Sequence, residues 1–287
     1  MTSAPQGLAL QAPANTTAPG QPWRCTRCDH RAVGERPLGC SLCGRVNSFA
    51  RASAEREGAA RSAALSWAWA SDARAEDVPR AVSSIAGFDR VLGGGLVRRR
   101  VTMLGGIRGL GKSTLALLAA SGIASSNGPV LFAPLEQGVP AARRMLDEQG
   151  ASTRGIAFTE RAECDELAAL ARELGAVAVF VDSWKMLTIN GQAARSGTLA
   201  ERASMAVLMN AAAADGFAVL GILHMRTGDP KRYAAGAPVL QLCDVLLRLD
   251  RADVGARLIC DAKNRNGSAL ERAEFRRDGA RLLEVLP

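Results

Sequence analysis

Aromatic residues make up only 4% of this 287-residue chain, which leaves little material for a function built on stacking bases against aromatic platforms. Long apolar runs are missing as well. None reaches the ~20 residues that a membrane-spanning helix requires, so no membrane association is expected. The N-terminus has no charged segment leading into an apolar one, and a secretory signal is therefore not expected. With seven cysteines and no such signal, a reducing, cytoplasmic setting follows, in which metal binding competes better than disulfide formation. What the chain does have is 48% hydrophobic residues, ample for a core, and a net charge of +8 with a pI near 9.6. A basic balance favours an acidic partner, nucleic acid foremost, but does not specify one. The length fits one large domain, or one domain with a small appendage.

The most informative stretch is Gly106-Ile107-Arg108-Gly109-Leu110-Gly111-Lys112-Ser113, followed by Thr114. It meets every fixed position of the phosphate-loop pattern G-x-x-x-x-G-K-[ST]. Glycines let the backbone curl so that its N–H groups face phosphate oxygens, and the following helix adds the positive end of its dipole. Lys112 would reach the β- and γ-phosphates of ATP, and the Ser113 hydroxyl would ligate Mg²⁺. Context agrees: Val101–Leu104 reads as a buried strand before the loop and Leu115–Ala120 as a buried helix after it,. A glycine-rich turn that merely carries a lysine is the competing interpretation.

Taken from the start, residues 1–22 are rich in Ala, Pro, Gln, Thr and Gly and read as a disordered tail,. Residues 23–48 hold two C-x-x-C pairs, Cys25 with Cys28 and Cys40 with Cys43. Two such knuckles can close a tetrahedral four-thiolate Zn²⁺ site, and the metal would supply folding energy that so short a segment lacks. A pair of disulfides or inert thiols would be the alternatives, and His30 is a bystander. Residues 49–80, with Trp67 and Trp69, read as an Ala/Arg-rich linker, and 81–287 as the main domain. There the glycine turn Gly93-Gly94-Gly95 and the cluster Arg98-Arg99-Arg100 precede the first core strand. The cluster could touch DNA phosphates or simply face solvent.

Beyond the loop, strand and helix patterns alternate. Strands are expected at 130–133, 156–158, 177–181 and 217–223, and helices at 140–149, 163–174 and 199–214. Apolar strands joined by helices imply an α/β fold with a mostly parallel sheet covered on both faces. Residues 245–249, 257–261 and 281–285 read as hairpin strands. Asp182, closing the most apolar strand, would hold the Mg²⁺ shell opposite Ser113. Glu136, directly after the second strand, could orient and deprotonate an attacking water. Helix-capping or surface roles compete in both cases. His224 could sense the γ-phosphate or be an ordinary satisfied polar residue. Lys263-Asn264-Arg265-Asn266-Gly267 sits between two C-terminal strands. Its two cations point the same way and could enter a neighbouring subunit's site, or form a solvated hairpin tip.

Together the four-cysteine segment, Asp89-Arg90-Val91-Leu92-Gly93-Gly94-Gly95-Leu96, the loop ending Gly111-Lys112-Ser113-Thr114, Val181-Asp182-Ser183, His224 and Lys263-Asn264-Arg265-x-Gly267 resemble the bacterial DNA-repair family RadA, also called Sms, from Trp23 onward. The resemblance implies a RecA-like ATPase core with DnaB-helicase-like behaviour that assembles as a homo-oligomer, as a hexameric ring, around single-stranded or branched DNA. It implies ATP-driven branch migration of recombination intermediates, in company with recombination or replication proteins. Position by position it assigns Lys112, Ser113 and Asp182 to MgATP, Glu136 to water activation, Lys263 and Arg265 to action in trans near DNA, and the four cysteines to zinc. The chain departs from the family at Asn266, which replaces a Phe, at Thr227, and around Glu136. It also stops at Pro287, where the family continues into a Lon-protease-like domain, so a short form is expected. An ATP-switched adaptor of the KaiC type, or a DnaB-like replicative helicase, are the other functions this pattern admits.

Overall fold

In a computed structural model of the chain, the residues described are 23–27, 31–32, 40, 49–51, 79–253, 255–268 and 271–285. The chain divides after Trp69 into two units. In the first, β1 (Trp23–Cys25) pairs antiparallel with both β2 (Arg31–Ala32) and β3 (Phe49–Arg51). Cys25, Cys40 and Phe49 are buried together there, with Trp23 and Ala32 against them. Phe49–Arg51, read from sequence as the start of a linker, thus completes this small sheet. Cys28, Cys43, Trp67 and Trp69 lie outside the described residues.

The second unit begins with β4 (Arg80–Ala81), which pairs with β5 (Leu96–Val97) around α1 (Ala86–Leu92). α1 ends at Gly93 in the left-handed conformation, so the three-glycine stretch is the exit of a short helix as well as a turn. Asp89 ties α1 to the segment before it: its buried carboxylate accepts from Ser83 N (3.0 Å) and Ser83 Oγ (2.8 Å). Burial raises the Asp89 pKa against these stabilising bonds.

The core strands are β6 (Val101–Gly106), β7 (Val130–Ala133), β8 (Ile156–Phe158), β9 (Ala178–Val181), two short strands β10 (Thr188–Ile189) and β11 (Gln192–Ala193), and β12 (Ala218–Ile222). A second small hairpin, β13 (Met225–Arg226) and β14 (Asp229–Tyr233), follows. The chain ends with β15 (Val245–Arg251), β16 (Ala256–Asn264), β17 (Arg272–Asp278) and β18 (Arg281–Val285). Nine of these form one sheet in the order β18-β17-β16-β15-β6-β12-β9-β7-β8. From β15 to β8 every pairing is parallel, and from β15 to β18 every pairing is antiparallel. β15 is therefore both a hairpin strand, as its sequence suggests, and a parallel neighbour of β6, which its sequence does not reveal. β17 escapes the pattern because Arg272, Glu274, Arg276 and Arg277 dilute its apolar residues.

Helices α2 (Lys112–Ser126) and α3 (Val139–Gln149) join α1 on one face of the sheet. Helices α4 (Cys164–Leu174), α5 (Leu199–Asp215) and α6 (Ala237–Leu242) cover the other. With both faces covered, β6, β7, β9 and β12 are buried along their whole length, which is why they read as continuous apolar runs instead of alternating ones. Phe132 stacks on Phe180 (centroids 5.7 Å apart) and meets Phe158 edge-on at 6.0 Å. Aromatic pairs of this kind add about 0.5–1.5 kcal/mol beyond area burial. α5 starts with a capping arrangement: Thr198 accepts from Glu201 N, and the Glu201 carboxylate accepts from Gly197 N (2.7 Å) and Gly236 N (2.9 Å). One buried carboxylate thereby ties the start of α5 to the start of α6.

Candidate nucleoside triphosphate site

Parallel strands deliver their C-terminal ends to one edge of a sheet, and that edge is where α/β proteins bind ligands. Here β6 runs into the phosphate loop, β7 into Glu136, β9 into Asp182 and β12 into His224. The order β6-β12-β9-β7 places these four features side by side. Backbone bonds lock their register: Leu223 N donates to Leu104 O (2.9 Å), Asp182 N to Ala133 O (2.9 Å), and Glu136 N to Asp182 O (3.0 Å).

Within the loop, Gly106 (φ 150°) and Gly111 (φ 96°) adopt backbone angles that a side chain would strain,. Gly111 is the N-cap of α2, so the amides of the helix's first turn point into the cleft,. Lys112 is buried, and its Nζ donates to Gly106 O (2.8 Å) and Ile107 O (2.9 Å). Burial lowers its pKa, the carboxylates of Asp182 and Glu136 work the other way, and Arg108 adds to the lowering. Asp182 is also buried; desolvation raises its pKa, opposed by a hydrogen bond from Ser113. This hydroxyl–carboxylate contact across β12 puts two oxygen donors together, the chemistry that a hard divalent cation takes. The peptide bond between Asp182 and Ser183 is cis.

Glu136 faces His224, with Oε2 2.6 Å from Nε2, and Lys185 Nζ lies 3.7 Å from its other oxygen. Partial burial pushes the Glu136 pKa up, but the hydrogen bond and charge of His224, aided by Lys185, outweigh it and hold the carboxyl below its ordinary value. The cleft between these groups has a volume of about 300 Å³, and its lining includes Arg108, Lys112, Glu136, Met145, His224 and Arg277. Loop, lysine, serine and both carboxylates are thus brought to one place.

Lys263 and Arg265 are not. Lys263 pairs in register with Leu246, near the entry of β15, and its Nζ donates to the Gln241 carbonyl at the end of α6. Arg265 lies 3.7 Å from Asp244. Leu246 in turn pairs with Met103 of β6, three residues before Gly106, so at about 3.3 Å per residue along a strand the phosphate loop begins on the order of 10 Å further along β6. Arg80 anchors the turn that carries these cations, donating to Asn266 O (2.8 Å), Leu92 O and Gly95 O (both 3.2 Å). Two motifs far apart in sequence, the glycine turn after α1 and the 263–267 turn, are in this way one structural unit.

Among the described residues, no group of three or more His, Cys, Asp or Glu side chains forms a metal site. The expected zinc site is therefore not seen assembled: Cys25 and Cys40 are buried in one small cluster, and Cys28 and Cys43 are not among the described residues. No helix among the described residues is long and apolar enough to cross a membrane.

Sequence reading overlooked two contributors. The β10–β11 and β13–β14 hairpins rise after β9 and β12 at the phosphate end, the second bearing exposed Arg226, Lys231 and Arg232. The signal was a short run of charge around Gly228, too brief to register as strands. The other is Arg277, whose place in the cleft depends on how the C-terminal strands fold back.

A mostly parallel sheet with a phosphate loop after one strand, and an acidic strand end two positions across, defines a RecA-like α/β fold. Solved structures with this fold include a KaiC-like protein from Pyrococcus horikoshii (19% identity, TM-score 0.57, covering 73% of this chain and all of that one) and the RadB recombinase (20%, TM-score 0.52, 72% and all). The chain is a relative of the bacterial DNA repair protein RadA. It is 32% identical to that of Mycobacterium tuberculosis over 261 residues, which is 87% of this chain and 53% of the relative. It is 29% identical to the Escherichia coli protein over 219 residues (75% and 46%) and 26% to the Bacillus subtilis protein over 211 (72% and 45%). The chain thus spans about half the length of the curated relatives it matches. No protein-family model matches it.

Proposed function

We propose that this protein is a DNA-stimulated ATPase of recombinational repair, which uses ATP to process or branch-migrate recombination intermediates. The observation that carries the reading is the convergence of Lys112, Ser113, Asp182 and Glu136 on one cleft at the C-terminal edge of the parallel strands. In this reading the loop amides and Lys112 hold the β- and γ-phosphates, and Ser113 and Asp182 hold the Mg²⁺, which when bound neutralises phosphate charge. Glu136, kept ionised by His224, takes the proton of the attacking water. Lys263 and Arg265, too far from their own cleft, act on that of a neighbouring copy in a homo-oligomeric assembly. The basic hairpin beyond His224 and the net charge of +8 support contact with the phosphates of single-stranded or branched DNA. The shared burial of Cys25 and Cys40 supports a zinc site completed by Cys28 and Cys43; one zinc per chain by elemental analysis, lost in C25S/C40S, is expected, and a metal-free native protein would rule it out.

The test is ATP binding and turnover, with and without single-stranded DNA, for the wild type and Lys112→Ala. Turnover stimulated by DNA, with the stimulation fading as salt rises, and loss of nucleotide binding in the variant are expected. Unchanged ATPase in Lys112→Ala would overturn the site. Tight ATP binding with no response to DNA would favour an ATP-switched adaptor instead.

A further inference from the structure

The geometry points to Arg277 as a clamp for the nucleoside end of the bound nucleotide, supplied by the same chain from β17 and recognising the face of the base. The inference rests on the nucleotide reading above and goes beyond it in naming what holds the half of the ligand that the phosphate loop leaves untouched.

Arg277 stands at the end of β17, paired in register with Leu282 of β18. A Cβ placed on Gly111, the N-cap of α2, would sit 3.6 Å from the Arg277 guanidinium and 3.5 Å from Leu282 Cδ1. The C-terminal hairpin therefore reaches over the mouth of the loop. α3 holds it there: Gln149 Nε2 donates to Ala280 O (2.7 Å), and Gln149 Oε1 accepts from Leu282 N (2.8 Å). Met145, one turn earlier on α3, lines the same cleft. Among the described residues the Arg277 side chain has no hydrogen-bond or ion-pair partner.

The two halves of the cleft differ in chemistry. Lys112, Ser113, Glu136 and His224 gather at one part and suit phosphates, metal and water. Arg277 lines the same cleft as Met145 and stands beside Leu282 and Gly111, surroundings that can hold a flat, apolar, polarisable ring. A planar guanidinium stacks on such a ring, and a thioether packs against its face or edge. Gln149, the nearby amide that could read a base edge, has its side chain committed to the hairpin at both ends. A site of this kind grips the face of the base and so favours the larger purine over a pyrimidine, with little discrimination between adenine and guanine.

Calorimetric binding of ATP, GTP, UTP and inorganic tripolyphosphate to the full chain, wild type and Arg277→Ala, tests this. Arg277 is exposed, so the variant should fold, and its thermal unfolding provides the check. The expected result is ATP and GTP affinity lowered on the order of tenfold, UTP lowered less, and tripolyphosphate unchanged. Arg277→Lys, which keeps the charge but not the plane, should resemble the alanine variant. Equal losses for ATP and tripolyphosphate would make Arg277 a phosphate ligand and overturn the inference, as would no loss at all. Wild-type protein that binds neither ATP nor tripolyphosphate would instead overturn the nucleotide site itself.

Discussion

Glu136 shows how much one neighbour changes a residue. As part of Ala133-Pro134-Leu135-Glu136-Gln137 it is an ordinary acid after a strand; with His224 2.6 Å away it is a carboxylate held in one orientation. Burial alone would raise its pKa, and the histidine reverses the sign. A depressed carboxyl stays ionised to lower pH than an ordinary glutamate, so the proposed base remains competent until pH falls past its lowered value. His224→Ala leaves burial acting upward with its main opponent gone. The acidic limb of the pH–rate profile for MgATP hydrolysis should then move to higher pH, while the basic limb stays in place. An acidic limb unmoved by the substitution would show that His224 does not tune Glu136. Cys243 marks the contrasting case, where burial pushes the thiol up to about 11 and leaves it an inert part of the core.

At the scale of the elements, close approach matters more than propensity. α2 is lined with alanines and buried on nearly every side, and Gly122 on that helix faces the Ser83 carbonyl so closely that an added methyl would collide with it. Gly122→Ala should therefore destabilise the domain, although alanine is the better helix former. The expected cost is about 1–3 kcal/mol, a fall of several degrees in thermal midpoint. An unchanged or raised midpoint would show that the segment around Ser83 yields without cost. A similar closeness explains why Gly105 is small: the Tyr233 ring at the root of the basic hairpin occupies the space above it. Most helices and parallel strands were legible because their apolar spacing is strong and their ends carry glycines, such as Gly150 and Gly175 in left-handed caps. The short hairpins β10–β11 and β13–β14 were not, since the two-residue strands β10, β11 and β13 leave no period to read and β14, Asp229-Pro230-Lys231-Arg232-Tyr233, carries a proline and three charges in five residues.

Across the whole molecule, the question is what the cations opposite the cleft do. Lys263 and Arg265 sit at the entry end of β15, against the end of α6, so their proposed role requires a second copy. Lys263→Ala should keep ATP binding and lose turnover. Lys112→Ala should lose binding yet retain its cations. Mixing the two inactive variants should restore part of the DNA-dependent turnover, because some junctions would then pair an intact loop with an intact cation. No restoration, in assemblies shown by light scattering to contain both variants, would confine Lys263 to bracing α6 within its own chain.

The phosphate loop, the acidic strand ends and the alternation of buried strands with helices are written locally. Phosphate binding needs a contiguous run of backbone amides, and a buried strand needs a contiguous apolar run, so neighbours in sequence carry the information. The pairing of Glu136 with His224, the arrival of Arg277 above Gly111, the bracing of the 263–267 turn by Arg80 and the remoteness of Lys263 from its own cleft depend on strand order. That order is decided by which apolar faces bury one another between segments distant in the chain, such as those of Glu136 and His224, 88 residues apart, a choice that short-range spacing does not encode.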